Sequence, residues 1–442
     1  MASTTFILFT DRIFLGHYSV NALAASTPAG IASFMFIALF LGIVGYANTF
    51  IAQYTGAVQD RMVGRVLWQT VYLALLSGLL LVLLSAIGGP LFRLFGHIPE
   101  VQDLETRYFH ILMWGAVFLL LKDGLSCFYS GRGLTRTVML VNLAGAAVNI
   151  PLDYALIHGW GPFPAMGITG AGIASICGQA LMALMFAVLI FRRSYDRQYA
   201  VLREWRFRGD LFMKLLRTGA PAGLHFFMDI FTFTFFIGAV GRLGQVDLAA
   251  TNVTFSLNML AFLPMIGVSV ATNTLVGQSI GRSDPEGAQR AVRSTLHIAL
   301  VWMVMVATLY ITCPGPLIRL FQPPASESAL FPLIQQRATV LLYFVAIYSL
   351  FDALNLVFTG ALKGAGDTTF VGWTSFTAGI LLLIAPVTIA IEILDANLYI
   401  CWVFATLYIC TLAMIFRYRF RQGRWRVIHL IEPETRSSIE SL

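Results

Sequence analysis

Long runs of apolar residues, broken by short polar clusters, repeat from one end of this chain to the other. Each run is about 20 residues or longer, the length a helix needs to cross a hydrocarbon core roughly 30 Å thick. Strands of an outer-membrane barrel would be shorter and would alternate in polarity, so the runs predict helices. They fall at 3–22, 27–53, 66–89, 108–131, 136–158, 167–191, 213–240, 248–278, 288–312, 332–360, 369–391 and 396–416. These twelve spans leave no room for a soluble domain.

Composition agrees with that reading. Of 442 residues 58% are hydrophobic and only 12% charged, and the mean hydropathy is +0.77. The net charge of +7 and pI near 9.3 come from an asymmetry rather than from a general excess of base. Most of the 29 Lys and Arg lie in the loops after even-numbered spans and in the C-terminal tail, which places those segments in the cytoplasm. That topology accounts for the basicity, so no nucleic-acid partner is expected. The densest basic stretch, FRRSYDRQYAVLREWRFRGD at 191–210, reads as a cytoplasmic linker along the anionic leaflet. Cys127, Cys177, Cys313, Cys401 and Cys410 are odd in number and scattered among the apolar segments, which predicts neither a disulfide framework nor a metal site. No HExxH, Walker or GxSxG pattern is present, and no cofactor is expected. The first apolar run continues into the protein without a cleavage pattern, so no signal peptide is expected.

The halves of the chain repeat. At an offset of 225, GHYSVNALAAST aligns with GRLGQVDLAATN and YANTFIAQYTGA with ATNTLVGQSIGR, which matches Asn48, Thr49, Gln53 and Gly56 to Asn273, Thr274, Gln278 and Gly281. An offset of 231 sets RGLTRT (132–137) on KGAGDT (363–368). Six spans return the chain to its starting side, so the repeats are parallel and related by an axis along the membrane normal, as in transporters whose halves enclose a midplane cavity. The division expected is an N-terminal lobe over 1–191, a linker over 192–212, a C-terminal lobe over 213–416 and a cytoplasmic tail over 417–442. Residue 1 corresponds to residue 226, so the first span lacks what 213–225 supply to the seventh. The expectation is a start upstream, or a short and poorly anchored first helix.

Charges inside the spans carry the candidate chemistry. An aspartate at a helix centre costs about 2.5–3.5 kcal/mol on insertion scales, so it faces a wet cavity or a partner. Asp352 is one, with Tyr348 four residues earlier on the same face, where the phenol can share a cation or bond the carboxylate. Asn149 and Asp153 repeat the spacing around Pro151, which removes a backbone donor and displaces the carbonyl four residues back. Such oxygens suit a hard cation such as Na⁺, and also a proton. A plain interhelical hydrogen bond is the structural alternative at both places. His225 precedes Asp229 by one turn and is a candidate proton partner. Lys122 and Asp123 are adjacent, project to different sides, and each call for a partner or a route to water. The 35 phenylalanines offer faces to aromatic and cationic ligands, although most should pack or meet lipid.

The stretches TDRIFLGHYSVNALAAST, VNLAGAAVNIPLDYALIHG leading into GITGAGIAS, VGQSIGRSDPEGAQRA and FTGALKGAGDTT together resemble the multidrug and toxic compound extrusion (MATE) family, with its bacterial NorM-like branch closest. The resemblance implies an all-α, two-lobed antiporter, without enzymatic activity, that exports organic and often cationic or aromatic drug-like compounds as Na⁺ or H⁺ moves inward. It implies a C-terminal cation site at Asp229, Tyr348 and Asp352, with aspartate at 229 where NorM-like members usually carry the longer glutamate. In the N-terminal lobe it implies a cation or proton site at Asp11, Asn149, Asp153 and Ser175. Localisation in the bacterial inner membrane, a cytoplasmic C-terminus and a monomer in the bilayer complete the expectation. Two alternatives are a flippase for lipid-linked precursors, which would want a basic cavity lining, and a membrane-embedded enzyme, which would want a nucleophile or metal constellation.

Overall fold

In lipid every backbone N–H and C=O has to be bonded within the protein, and apolar runs meet that demand locally as helices. The computed structural model describes residues 10–11, 13–95, 97–161, 163–322, 330–428 and 430–431, and among these residues there is no strand. The elements are α1 Val20–Gly45, α2 Ala47–Gly56, α3 Asp60–Leu84, α4 Gly88–Phe95, α5 Pro99–Ser130, α6 Thr135–His158, α7 Ile168–Ile190, α8 Arg193–Tyr199, α9 Gly209–Gly241, α10 Gln245–Gly281, α11 Pro285–Thr312, α12 Pro314–Arg319, α13 Phe331–Ala365, α14 Thr368–Ala378, α15 Ala385–Glu392 and α16 Leu398–Arg421. Eleven stretches of the described residues are long and apolar enough to span a bilayer, and they correspond to the second to twelfth predicted spans. Of the first predicted span, residues 3–9 and 12 lie outside the described residues. Residues 10–11 and 13–18 are helical, and Ser19 then starts α1 as its N-cap, so the break falls before the predicted 22–27 gap.

Most helices overrun the apolar runs that predicted them. The run from 108 becomes a helix from Pro99, because backbone bonding continues into water where Glu100, Gln102 and Asp103 are comfortable. The run at 369–391 is divided into α14 and α15 by a wider π-type turn at Gly379–Ile384. Pro386, at the start of α15, has no N–H to continue the regular ladder.

Buried apolar side chains form two cores. One gathers residues from Leu15 to Ala222, the other from Phe236 to Trp425, so the division falls inside α9. The start of α9 is pressed onto α1, where a Cβ on Gly223 would lie 2.3 Å from the Leu39 carbonyl oxygen. The last described residues are also held: Trp425 is fully buried and stacked on Phe420, while Leu430 belongs to the first core.

The linker is docked, a finding beyond the leaflet-bound strap expected. Trp68, Gln69 and Tyr72 share one face of α3 and reach it together. Trp68 Nε1 donates to the Val201 carbonyl at 2.7 Å, Gln69 Nε2 donates to Arg206 O at 3.1 Å, and the Tyr72 hydroxyl donates to Trp205 O. Arg65 pairs with Glu204 at 2.9 Å, and its hydrogen bond holds that carboxyl below the ordinary glutamate range. The Arg132 guanidinium is 4.4 Å from the Phe128 ring centroid, 4.9 Å from Tyr195 and 4.5 Å from Tyr199, clamping α8 to the end of α5.

The two halves meet near the same face through the residues that the repeat matched. Asn48 Nδ2 donates to Asn273 Oδ1 and to Thr274 Oγ1, both at 3.0 Å, and Asn273 Nδ2 donates to Thr49 Oγ1 at 3.0 Å. Gln53 Nε2 donates to the Gly364 carbonyl and Gln278 Nε2 to the Gly131 carbonyl, both at 2.9 Å. Glycine is required on both sides: a Cβ on Gly56 would lie 2.1 Å from Gln278 O, and one on Gly281 2.0 Å from Gln53 O. Even the turns correspond, with left-handed Val58 (φ 59°) and Ser283 (φ 57°) closing α2 and α10.

Candidate functional site

The second half gathers its polar residues from α9, α13 and α16. On α9, His225 and Asp229 are one turn apart, and His225 Nδ1 lies 3.1 Å from Asp229 Oδ2. His225 is buried whereas Asp229 is exposed, so the pair reaches from packed interior to open space. On α13, Tyr348 and Asp352 are both buried at adjacent turns, 3% and 8% exposed. No hydrogen bond joins these two among the described residues. Asp352 has the Asn355 amide one turn further along the same helix and lies within electrostatic range of Asp229. The three residues named from the sequence therefore come together from two helices. Two carboxylates within electrostatic range repel, and a cation or proton held by either would relieve that repulsion.

Three participants were missed. Tyr408 on α16 lies within electrostatic range of both Asp229 and Asp352, and Gly379 admits this packing because its missing side chain leaves room for Met228 and Thr232. Asn355 stands one turn beyond Asp352 on the same helix. Lys363, at the end of α13, has its Nζ 3.1 Å from His225 Nδ1. Its signal was available, because the repeat pairs it with Arg132, a basic residue where a plain turn needs none.

The first half holds a smaller, drier group. Asp11 and Asp153 are buried and meet each other side chain to side chain. Asn149, one turn before Asp153, spends its amide on the Ala174 carbonyl at 2.9 Å, and its Oδ1 is buried without a hydrogen bond. Ser175 is half-buried beside that carbonyl. α6 passes through Pro151 as one helix. The rings of Phe14, Tyr154 and His158 pack alongside, with Tyr154 stacked on His158 at 4.7 Å.

The expectation for Lys122 and Asp123 is corrected. They do not need separate partners, because Lys122 Nζ reaches Asp123 Oδ1 at 2.8 Å. The four-carbon stem of lysine lets its head curl back over a neighbour whose Cα vector points elsewhere. All five cysteines are free.

A family model described as MatE matches residues 1–155 and 221–388. This chain is a MATE-family protein. It is therefore a transporter and not an enzyme. It is 29% identical over 375 residues to the probable multidrug resistance protein NorM of Xanthomonas campestris pv. campestris, covering 83% of this chain and 79% of that relative. The probable NorM of Thermotoga maritima is 28% identical over 379 residues, covering 83% and 78%. Among solved structures, an outward-facing multidrug resistance MATE transporter of the MOP superfamily superposes with a TM-score of 0.85 at 20% identity, covering 97% of this chain and 94% of its own. A MOP-superfamily transporter from Pyrococcus furiosus, described as having a binding pocket of reverse polarity, superposes with a TM-score of 0.85 at 21% identity over the same shares. At such identities these structures establish the two-lobed MATE fold, and the spanning helices with the bacterial NorM relatives make this a multi-pass inner-membrane protein.

Proposed function

We propose that this protein is a secondary antiporter that expels organic compounds, cationic or aromatic ones in particular, in exchange for inward movement of Na⁺ or H⁺. The basic face and the C-terminus are cytoplasmic, and a single chain is the working unit. The observation that carries the reading is that Asp229 and Asp352, on separate helices, lie within electrostatic range of each other. A carboxylate pair can be neutralised by Na⁺, by H⁺ or in part by a cationic substrate, so loading one ligand weakens retention of another, which is what exchange requires. Asp11 and Asp153, with Asn149 and Ser175 beside them, form a second place where a proton or cation is held. The names of the NorM relatives support drug-like substrates. Among the described residues the basic groups at the site are His225, paired with Asp229, and Lys363 beside that imidazole, which gives no support to a flippase with a phosphate-binding lining.

One charge crossing 100 mV supplies about 2.3 kcal/mol, close to fiftyfold in accumulation, so a single coupled cation drives useful export of a neutral compound. The test is efflux of a fluorescent organic cation from cells, with the Na⁺ and H⁺ gradients collapsed separately. Asp352→Asn keeps size and removes charge, and ion-driven efflux should disappear at normal expression, whereas Tyr348→Phe should slow it less. Gradient-dependent efflux at the parental rate from Asp352→Asn would leave that aspartate a packing residue and end this reading.

A further inference from the structure

His225 Nδ1 is 3.1 Å from Asp229 Oδ2 and also 3.1 Å from Lys363 Nζ. A ring nitrogen carries either a hydrogen or a lone pair. It therefore donates to the carboxylate or accepts from the ammonium, and does not serve both. Lys363 is also where the first half grips the second. Its carbonyl accepts from the Tyr46 hydroxyl at 3.1 Å, and the next carbonyl, that of Gly364, accepts from Gln53 Nε2 at 2.9 Å. Gly364 is pressed so close that a Cβ there would lie 2.5 Å from Asn273 O, beside the Asn48–Asn273 contact. One residue thus has its side chain in the carboxylate cluster and its backbone in the contact between halves.

We propose that Lys363 couples loading of the Asp229–Asp352 carboxylates to closure of the two halves on the face that carries the linker. The proposal rests on the exchange reading above. When a cation or proton satisfies Asp229, the imidazole has no carboxylate to serve. Nδ1 then accepts from Lys363, and residues 363–364 are held where Tyr46 and Gln53 meet them. When the carboxylates are bare, Nδ1–H turns to Asp229, the ammonium loses its acceptor, and the segment presenting those two carbonyls is no longer fixed from its own side. The other charged and titratable groups around this path do not replace the switch. Asp352, on α13, belongs to the loaded cluster itself, and Tyr408 on α16 touches that cluster. Asp367 is engaged by Arg419 through two bonds of 2.7 and 3.2 Å. Tyr46 contributes its hydroxyl to the grip.

The coupling is reciprocal, so whatever opens the contact between halves has to weaken cation binding by the same factor. The experiment uses the full chain in lipid, its five native cysteines replaced, with spin labels at Val58→Cys and Ser283→Cys, which flank the contact symmetrically. Distances are recorded while Na⁺ or pH is titrated. In the parent, loading should raise the ratio of close to separated label pairs by on the order of fivefold or more. Lys363→Met should flatten that response while thermal unfolding shows a folded protein, and Lys363→Arg, which still donates to Nδ1, should restore it. A Lys363→Met response equal to the parent's, or a Lys363→Arg response as flat as Met, overturns the coupling and leaves the exchange reading standing. A parent that responds to neither Na⁺ nor pH overturns the exchange reading together with the coupling.

Discussion

Replacing Gly56 and Gly281 together by alanine should force the halves apart on the linker face. The added Cβ atoms would sit 2.1 Å from Gln278 O and 2.0 Å from Gln53 O. A carbon meets an oxygen comfortably at about 3.3 Å or more, so each side has to give by roughly 1.2 Å. Backbone carbonyls in helices have no rotamer to escape into. The hydrogen bonds from Asn48 to Asn273 and to Thr274 both stand at 3.0 Å, and a shift of that size carries them beyond bonding range. Losing two of them shifts the balance by about 1–3 kcal/mol, or roughly 5- to 150-fold in the ratio of closed to open. The label pair at Val58→Cys and Ser283→Cys reads that ratio directly, and drug efflux should slow with it. Gly45→Ala is the control, since a Cβ there meets nothing within 4 Å. A distance distribution for Gly56→Ala/Gly281→Ala that matches both parent and control would refute the reasoning, because the close approach would then have no hold over the conformation.

Asp153→Asn should change the dependence of efflux on pH and Na⁺, because it removes one of two facing carboxylates; a rate and dependence both unchanged would make the group structural. The linker should loosen on acidification. The Glu204 carboxyl is held low by Arg65, so its stabilisation is complete above the ordinary glutamate value near 4.3 and is lost as pH falls through the lower folded value. Hydrogen exchange over 201–208 should therefore differ between the parent and Glu204→Gln at neutral pH by less than about 1 kcal/mol, and the difference should vanish in acid. An equal difference at both pH values would assign the docking to Trp68, Gln69 and Tyr72 alone.

Eleven spans were legible because lipid imposes one requirement on every turn of a spanning helix, and a run of apolar residues reports it directly. The carboxylates were legible for the converse reason: Asp153, Asp229 and Asp352 interrupt such runs at a cost that packing alone does not justify. Lys363 was marked by its pairing with Arg132 in the repeat, but at a helix end among glycines a basic residue reads as a loop cation, and the fold is what turns its head toward His225. Tyr408 had no signal at all among so many aromatics. The docking of the linker needed Trp68 to find Val201, a contact 133 residues apart that no local pattern encodes. Lys122 and Asp123 misled for a simpler reason, since helical geometry fixes where a Cβ points and not where a long side chain ends.

Duplication explains why the closure is symmetric and the chemistry is not. Where two like halves meet about a shared axis, each contact is repeated between the counterparts of its two residues, so an alteration on one side has to be met by the other. Asn48 with Asn273, Gly56 with Gly281 and Val58 with Ser283 have stayed matched under that constraint. A cation site inside one half carries no such obligation. At the offset of 231, Asp352 falls on Leu121, Tyr348 on Val117 and Asp153 on Ile384, and at 225 Asp11 falls on Phe236. At these four positions an acid or phenol of one half stands where the other is apolar, whereas Asp229 falls on the polar Thr4 at 225. Arg132 and Lys363 stand on the border between the two regimes. The first is caged by Phe128, Tyr195 and Tyr199, and so ties the linker to its own half. The second faces an imidazole that also serves a carboxylate, so the same position in the repeat became an anchor in one half and a sensor in the other.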